Sequence, residues 1–302
     1  MRKRAAMGLT SSTDATESGS KRKQGLRDDP DAQLPEHPSG ILSVLPLEVM
    51  EEIFMNLPAR QVVCVCRLVC RVWKEVVDSE SLWRERCRRE GFHLRDATKI
   101  PEDWRLFYFL TKQRRNLLKN TRGEENLKGW QILANGGDRW QVEGVFVPHP
   151  NEVVQKCFVT SYHLCRKSQL INLENEGYSA SFMDHVQPDI RISDWYAPRW
   201  DSGSEYGISV ELLNQNKEPL HTFAPETIYF QQWNDQKWNQ MSVLMFMSQM
   251  THVFRNYGPG VRYIRFTHGG QDTQFWAGWY GIRLTDSSVE ICPSVERSPE
   301  HR

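Results

Sequence analysis

The apolar residues of this chain change their spacing at about residue 121, and the change divides the sequence into two kinds of structure. From residue 45 onward they recur every three or four positions, as in Leu47, Met50 and Phe54, which is typical of one helix face. Later they alternate with polar residues, as in residues 208–212, which is typical of half-buried strands. The sequence therefore predicts an α+β multidomain protein in which a small all-α part precedes an all-β part.

Four short helical segments are predicted between residues 45 and 88. Pro46 suits the first turn of the first helix, where its missing N–H costs nothing, and Pro58 ends that helix. The other segments are predicted at residues 61–69, at residues 73–77 and from Leu82 onward. So small a helical unit buries little apolar surface, and we expect it to be marginal without a partner.

Residues 101–120 are predicted to form a further helix, which belongs to a helical linker at residues 89–120. Its apolar side carries Trp104, Phe107, Tyr108 and Leu110. Its C-terminal half is basic, with Lys112, Arg114, Arg115 and Lys119. These cations fit either a rigid linker with a charged end, which the helix dipole favours, or a patch for acidic partners; we prefer the linker.

The region from residue 121 to residue 293 is predicted to be a β-sandwich or barrel. Strand candidates lie at residues 158–160, 170–173, 190–192, 208–212, 261–266 and 288–291. Turn sequences rich in Gly, Asp and Asn lie at residues 135–138, 201–203, 257–260 and 268–270. Many short strands separated by such turns favour two packed antiparallel sheets.

Composition excludes several other classes of protein. Lys and Arg number 38, as do Asp and Glu, so the chain lacks the basic excess of a nucleic-acid-binding protein. The sequence contains no run of 18 apolar residues, so no membrane-spanning helix is predicted. Seven cysteines without an export signal predict reduced thiols in the cytosol or nucleus, and we expect a cytoplasmic protein. Residues 1–40 and 294–302 are polar and are expected to be tails, the first of them disordered.

The helical unit at residues 41–88 resembles an F-box. The matching residues are Leu45 to Val49, Ile53 and Phe54, Leu57 and Pro58, the run from Cys66 to Trp73, and Leu82 with Trp83. The resemblance implies binding to the Skp adaptor and, through it, to a cullin–RING ligase. It also implies that much of the apolar contact comes from Leu45, Pro46, Ile53, Leu57 and Pro58.

The β region resembles the F-box-associated (FBA) domain of the sugar-recognising F-box proteins. The matching stretches are residues 135–140, 158–162, 189–195, 260–263 and above all 268–281. The resemblance covers residues 103–293, and it implies a ten-stranded jelly-roll sandwich whose loops grip the inner chitobiose of N-linked high-mannose glycans. Carried over by position, the glycan site comprises Tyr162, Asp201, Phe275, Trp276 and Ala277.

The implied roles agree with the chemistry of sugars. The apolar C–H face of a pyranose ring packs on an aromatic face, and its hydroxyl and N-acetyl groups need a few placed donors and acceptors. Phe275 and Trp276 are expected to supply the platforms, and Asp201 an acceptor. No cofactor and no metal are expected.

The sequence departs from the family pattern at four places. Ala277 stands where one branch has Lys, and Phe275 where Tyr is usual. Residues 179–181 are Ser-Ala-Ser instead of Trp followed by two acidic residues. Finally, the apolar, Met-rich residues 243–251 read as an insertion, which is a loop, an extended strand or an artefact of the gene model.

The sequence supports catalytic and metal-binding interpretations less well than the glycan-binding one. Cys64, Cys66 and Cys70 lack a second ligand pair at zinc spacing and are expected to be core residues. Asp194 and Asp201 could imitate glycosidase carboxylates, but both are expected to cap turns. His268 with Asp272 lacks a credible nucleophile, and the thiols of Cys157 and Cys165 are not expected to accept ubiquitin.

The sequence thus predicts a non-catalytic substrate-recognition subunit of a Skp–cullin–F-box ubiquitin ligase. Its clients are expected to be misfolded N-glycosylated proteins in endoplasmic-reticulum-associated degradation. Two alternatives stay open: an F-box adaptor of the same architecture that reads a protein surface, and a lectin-like protein whose F-box has lost its adaptor. The identity of the clients does not follow from the sequence.

Overall fold

The computed structural model describes residues 45–92, 100–240 and 252–293. The chain divides into two compact units, residues 1–46 and 47–302. Of the first unit, half-buried Leu45 and exposed Pro46 are described. The predicted tails and the apolar residues 243–251 lie outside the described residues.

The helices of the second unit are short. They are α1 (Leu47–Met55), α2 (Ala59–Cys64), a 3₁₀ turn (Cys66–Leu68), α3 (Arg71–Val77), α4 (Glu80–Arg89), α5 (Trp104–Lys112) and α6 (Ala180–His185). Within the described ranges, none of the helices has the length and apolar character needed to cross a bilayer.

A small core holds α1 to α4 together. Phe54, Val62, Val77 and Trp83 are almost fully buried, and the Trp83 indole N–H donates to the Val77 carbonyl at 2.7 Å. Met50 and Phe54 face this core as the spacing predicts. Leu47 does not, because 53% of its surface remains exposed.

Two predictions for this helical region were wrong. Residues 61–69 do not form one helix, because the chain leaves the helical conformation at Val65 before the 3₁₀ turn. Of the three cysteines expected in the core, Cys66 is buried but Cys64 and Cys70 are exposed. Cys70 instead caps α3, where its sulfur accepts from the backbone N–H of Trp73 at 3.5 Å.

The predicted helix at residues 101–120 was too long. α5 ends at Lys112, and the chain then runs beside the strand at Arg283–Cys292, where the Leu117 N–H donates to the Val289 carbonyl. The Asn116 side chain donates to the Ser287 carbonyl at 2.8 Å. After Lys112, hydrogen bonds to the sheet thus replace those of a helix. The spacing of apolar residues does not reveal this replacement, because it depends on a distant strand.

The basic side chains of this segment are paired with acidic ones. Lys112 contacts Glu90, Arg114 contacts Glu290, and Arg115 and Lys119 share Glu176. These ion pairs favour the linker interpretation over a free basic patch.

Two six-stranded antiparallel sheets form the rest of the unit. The strands are β1 (Gln131–Asn135), β2 (Gln141–Gly144), β3 (Lys156–Val159), β4 (Cys165–Asn172), β5 (Asp189–Ala197), β6 (Ser204–Leu213), β7 (Pro219–Phe223), β8 (Ile228–Phe230), β9 (Asn239–Gln240), β10 (His252–Phe254), β11 (Tyr263–Asp272) and β12 (Arg283–Cys292). The first sheet has the order β1-β4-β11-β6-β7, with β8 beside β6. The second has the order β10-β5-β12-β3-β2, with β9 beside β5.

The predicted fold class, a small all-α part followed by an all-β sandwich, is confirmed. The described residues contain 12 strands, whereas the family resemblance implied ten. Several of the strands are very short: β8 and β10 have three residues each, and β9 has two.

The segment His268-Gly269-Gly270 is not the turn that its glycines predicted. It lies inside β11, between β4 and β6. A Cβ on Gly269 would lie 2.0 Å from the Cys165 carbonyl oxygen, and one on Gly270 would lie 1.9 Å from that of Glu205. The glycines therefore permit close approach of the neighbouring strands, which is a second use of glycine in sheets.

Asp194 is not a turn residue either. It lies in β5, is fully buried, and accepts hydrogen bonds from Tyr206 at 2.8 Å and from Ser287 at 2.8 Å. His268 contacts the same carboxylate through Nδ1 at 2.6 Å. Burial lowers the pKa of His268 to about 4, so the neutral ring donates to Asp194 at pH 7. These hydrogen bonds join the two sheets across the core.

Lys167 is the least expected member of the core. Its side chain is fully buried, and Nζ lies 3.4 Å from the ring centre of Trp130 and 3.6 Å from that of Phe158. In the part of the chain that the structure describes, Nζ has no hydrogen-bond partner. Burial lowers the pKa of Lys167 well below its ordinary value of 10.5, and the charge of Asp194 raises it by less.

We predict that Lys167→Met stabilises the protein at pH 7 by about 1 kcal/mol or more, since it removes a buried basic group and keeps the apolar stem. In the wild type the unfolded chain binds the proton more tightly, so stability should rise with pH between the folded and unfolded pKa values. The variant should lose this dependence. Urea unfolding at pH 7 and pH 9.5 measures both effects, and unchanged curves would contradict a neutral buried lysine.

Candidate ligand-binding site at the loop end of the sandwich

Several connections meet at one end of the two sheets, which we call the loop end. In the first sheet, Gly270 pairs with Cys165 and Asp272 with Ser204. In the second, Arg283 pairs with both Val159 and Ala197. The loops at residues 160–164, 198–203 and 273–282 therefore leave the sheets on the same side. The loops at residues 136–140 and 231–238 contact them there.

Asp272 fixes the start of the loop at residues 273–282. It is fully buried, and one carboxylate oxygen accepts from the Ser202 hydroxyl at 3.0 Å and from the Gln274 N–H. The other oxygen accepts from the Trp276 N–H at 2.8 Å. A single buried carboxylate thus orients the backbone that carries Phe275 and Trp276.

The other end of this loop is attached to two neighbouring loops. The Gly278 N–H donates to the Asp138 carboxylate at 2.6 Å, and the Gly278 carbonyl accepts from the Ser161 hydroxyl at 2.7 Å. The Trp279 indole N–H donates to the Arg139 carbonyl at 3.1 Å. The loop is therefore anchored on both sides of the residues predicted to bind sugar.

Phe275 and Trp276 project into solvent from this fixed backbone. Phe275 is 63% exposed and Trp276 is 41% exposed. The backbone of Phe275 has a φ of 58°, a region that bulky residues rarely adopt. The Trp276 ring stands edge-on to Tyr280, with ring centres 5.5 Å apart. Ala277 is exposed beside them.

Asp201 is held by an arginine that the sequence analysis did not select. Arg199 binds both of its carboxylate oxygens, at 2.6 and 3.2 Å, and this hydrogen bonding raises the pKa of Arg199. The Arg199 guanidinium carbon lies 4.3 Å from the ring centre of Tyr280. Asp201 is therefore connected to Trp276 through Arg199 and Tyr280.

Tyr162 lies against the glycine loop and beside His163. A Cβ built on Gly137 would lie 3.0 Å from the Tyr162 ring, so this glycine makes room for it. The exposed His163 contacts the Tyr162 ring at 5.0 Å between centres and the Phe275 ring at 6.1 Å.

The five predicted residues therefore lie on loops that are bonded to one another. Sequence reasoning missed the four residues that connect or support them, which are Arg199, Tyr280, His163 and Asp272. A signal existed for Arg199, which precedes Asp201 by two residues, and for Tyr280 in the aromatic run from Phe275. The role of Asp272 depends on Ser202, far away in the sequence.

The predicted adaptor-binding residues are mostly accessible. Ile53 is 44% exposed, Pro58 is exposed and Leu57 is half-buried. Six further apolar residues of the helical region are also exposed, namely Leu47, Val49, Val65, Leu68, Val69 and Val72. Sequence analysis did not select them for contact.

A metal centre and a reactive thiol are the other kinds of site that the sequence raised. Among the described residues, no group of three or more His, Cys, Asp or Glu is placed to hold a metal ion. Burial raises the pKa of Cys157 to about 12 and also raises that of Cys165, so neither thiol is ionised at pH 7.

Comparison with known proteins identifies both parts of the chain. Residues 42–89 match the F-box-like family, and residues 108–291 match the F-box associated region. F-box only protein 6 of Bos taurus is 46% identical over 264 residues, which are 86% of this chain and 96% of that protein. F-box only protein 44 of Homo sapiens is 45% identical over 260 residues, 85% and 98% of the two chains.

A third relative, F-box only protein 2 of Bos taurus, is 43% identical over 260 residues, 83% of this chain and 84% of that protein. Among solved structures, TmCBM61 in complex with β-1,4-galactotriose matches at 14% identity with a TM-score of 0.34, covering 58% of this chain and 97% of that one. The chain belongs to the F-box only proteins that carry an F-box associated region, as its motifs predicted.

We predict that Asp272→Asn destabilises the protein by about 1–3 kcal/mol, because an amide that replaces the carboxylate loses charge-assisted acceptance from two backbone N–H groups. The loss should be local, with faster hydrogen exchange at the Gln274 and Trp276 amides. Urea unfolding and amide exchange measure these effects. Glu124→Gln, at an exposed position, is the control. Equal exchange rates in the Asp272 variant and the control would show that Asp272 does not fix the loop.

Proposed function

We propose that this protein is the substrate-recognition subunit of a Skp–cullin–F-box ubiquitin ligase and that its sandwich binds N-linked high-mannose glycans. The observation that carries the proposal is the exposure of Phe275 and Trp276 on a loop whose backbone is fixed by buried Asp272. Large aromatic side chains kept in water on a rigid loop are typical of a binding platform.

The chemistry of the loop end supports a sugar ligand. The exposed faces of Phe275 and Trp276 suit the C–H faces of N-acetylglucosamine rings, and Tyr162 adds a ring and a hydroxyl. Asp201, already oriented by Arg199, offers acceptor oxygens to hydroxyl or N-acetyl groups. Ala277 leaves room beside Trp276 without adding a polar contact. Because the loops are preorganised, little ordering entropy is lost on binding.

The F-box supplies the other half of the proposed function. Its core is small, and seven apolar residues between Leu47 and Val72 are at least 36% exposed, to which the predicted contact adds Leu57 and Pro58. Docking these side chains, Ile53, Leu57 and Pro58 among them, on the Skp adaptor would remove them from water. Leu45 and Pro46 are included through the F-box resemblance.

The mechanism is tethering and needs no catalytic residue in this chain. The adaptor links the F-box to a cullin–RING ligase, and the sandwich holds the client near the charged ubiquitin-conjugating enzyme. Transfer to the client's lysines then becomes effectively intramolecular. A glycan reader in the cytoplasm would meet high-mannose chains on misfolded proteins returned from the endoplasmic reticulum, which makes these its proposed clients.

A second candidate is an adaptor of the same architecture that binds a protein surface. Ala277 keeps it open, because Ala277 lacks the ammonium that one branch of the family presents at this position. The two candidates differ in whether free glycan is sufficient for binding.

We predict that the full chain binds chitobiose-containing high-mannose glycan and that Trp276→Ala weakens binding by about 2 kcal/mol, roughly thirtyfold in Kd, because the variant loses an aromatic platform. Calorimetric titration with free glycan measures this. Leu170→Ala, which removes a comparably exposed apolar side chain (43%) from β4, is the matched control and should bind as the wild type does. A folded wild-type chain that does not bind the glycan would refute sugar recognition and favour an adaptor that binds a protein surface.

We predict separately that Ile53→Ser lowers affinity for the purified Skp adaptor about tenfold, because the exposed part of its side chain no longer gains from burial. Ile100→Ser is the matched control, since Ile100 is 63% exposed but lies outside the F-box. Equal affinities for the two variants would remove Ile53 from the interface.

A further inference from the structure

A second pair of exposed aromatic residues lies at the loop end. Trp200, in the loop at residues 198–203, is 48% exposed, and Trp233, in the loop at residues 231–238, is 66% exposed. Their ring centres are 5.1 Å apart and their planes meet at 50°. The exposure of this pair contrasts with Trp130 and Trp140, which are buried. Neither Trp200 nor Trp233 was assigned to ligand contact from the sequence.

The backbone of Trp233 is strained in the same way as that of Phe275. Its φ is 63°, in the left-handed region, which is unfavourable for a bulky side chain. Burial does not offset this cost, because two thirds of the residue remains in water. Strain of this kind clusters at binding sites, where surrounding contacts maintain it.

Asn234 provides those surrounding contacts. Its side-chain amide donates to the carbonyls of Arg199 at 2.8 Å, Gln231 at 2.9 Å and Ser202 at 3.3 Å. Its backbone N–H donates to the Trp200 carbonyl at 3.2 Å. The half-buried Asn234 thus holds the loops at residues 198–203 and 231–238 together, and neither indole N–H takes part in these hydrogen bonds.

The pair is continuous with the proposed glycan site. Trp200 precedes Asp201 directly, and the Gln232 side chain donates to the Asp201 carbonyl at 3.1 Å. Arg199 precedes Trp200 and lies over Tyr280, which contacts Trp276. A ligand that covers Phe275, Trp276 and Asp201 has the tryptophan pair as its next aromatic neighbour.

The composition of the loop favours a sugar over a polypeptide. Residues 231–237 are Gln-Gln-Trp-Asn-Asp-Gln-Lys, with one aromatic ring, four amides, two charges and no aliphatic side chain. An indole face surrounded by amides suits a pyranose, whose C–H face packs on the ring while its hydroxyls reach donors and acceptors. Residues 231–237 offer no aliphatic side chain that could line an apolar pocket for a peptide.

We propose that Trp200 and Trp233 form an outer subsite that binds a further pyranose ring of the glycan held at Phe275 and Trp276. This inference rests on the proposed glycan function and extends it, because the protein would also bind sugar rings beyond the first disaccharide. The pair would add affinity for longer glycans and leave the affinity for the disaccharide unchanged.

The test compares the full chain's Kd for chitobiose with its Kd for the same disaccharide carrying its mannose branches. The wild type should bind the longer glycan about tenfold more tightly. Trp233→Ala should keep the chitobiose Kd within about twofold and lose that gain, while Trp276→Ala should weaken both ligands. Leu170→Ala, in the middle of β4, should resemble the wild type.

Trp233→Gly separates a binding role from a structural one. Glycine adopts a positive φ without strain, so this variant should be at least as stable as the wild type in urea unfolding and still lose the gain for longer glycans. A large loss of stability would instead make Trp233 a structural residue and overturn the subsite.

Failure of the subsite and failure of the glycan function give different results. A wild type that binds neither ligand would overturn the glycan function and the subsite with it. Chitobiose binding with the full gain retained in Trp233→Ala would overturn the subsite alone. If Trp233→Ala kept that gain but weakened binding to a glycosylated peptide relative to free glycan, the pair would be assigned to polypeptide.

Discussion

The close packing of β11 between β4 and β6 is the constraint on which the rest of the sandwich depends. Gly269 and Gly270 let the neighbouring strands approach closely. Two residues later, Asp272 ends the strand and orients the next loop. Directly before Gly269 in the strand, His268 bonds to Asp194 of the opposite sheet. Strand β11 thus determines three things: the spacing of its sheet, the hydrogen bond between the two sheets, and the position of the exposed aromatic residues.

Much of the architecture could be predicted from the sequence because the two periodicities are local properties. Alternation located β6 and β5, and the helical spacing placed Met50 and Phe54 in the core of the F-box. The failures occurred where distant residues decide the conformation. The helix ending at Lys112, the strand containing Gly269 and the burial of Asp194 each depend on partners more than ten residues away.

The candidate site shows the same division. Phe275 and Trp276 stand in a motif specific enough to be selected by resemblance, and both are exposed on a supported loop. Arg199, Tyr280 and His163 matter through contacts between loops, which no single stretch of sequence displays. Trp233 contacts Trp200 from a neighbouring loop, and its positive φ is a conformation that its residue type does not predict.

The segment after α5 has a consequence for geometry. Leu117 and Asn116 bond to β12, and Arg114 pairs with Glu290, while α5 packs on α4 through Tyr108, Phe109 and Trp83. These contacts attach α5 to α4 on one side and the following segment to β12 on the other, so the connection is not a free linker. If the proposed function is correct, the range of positions that a client held at the loop end can take relative to the F-box would be limited. Which of its lysines are modified would then depend on their distance from the anchored glycan more than on their sequence context.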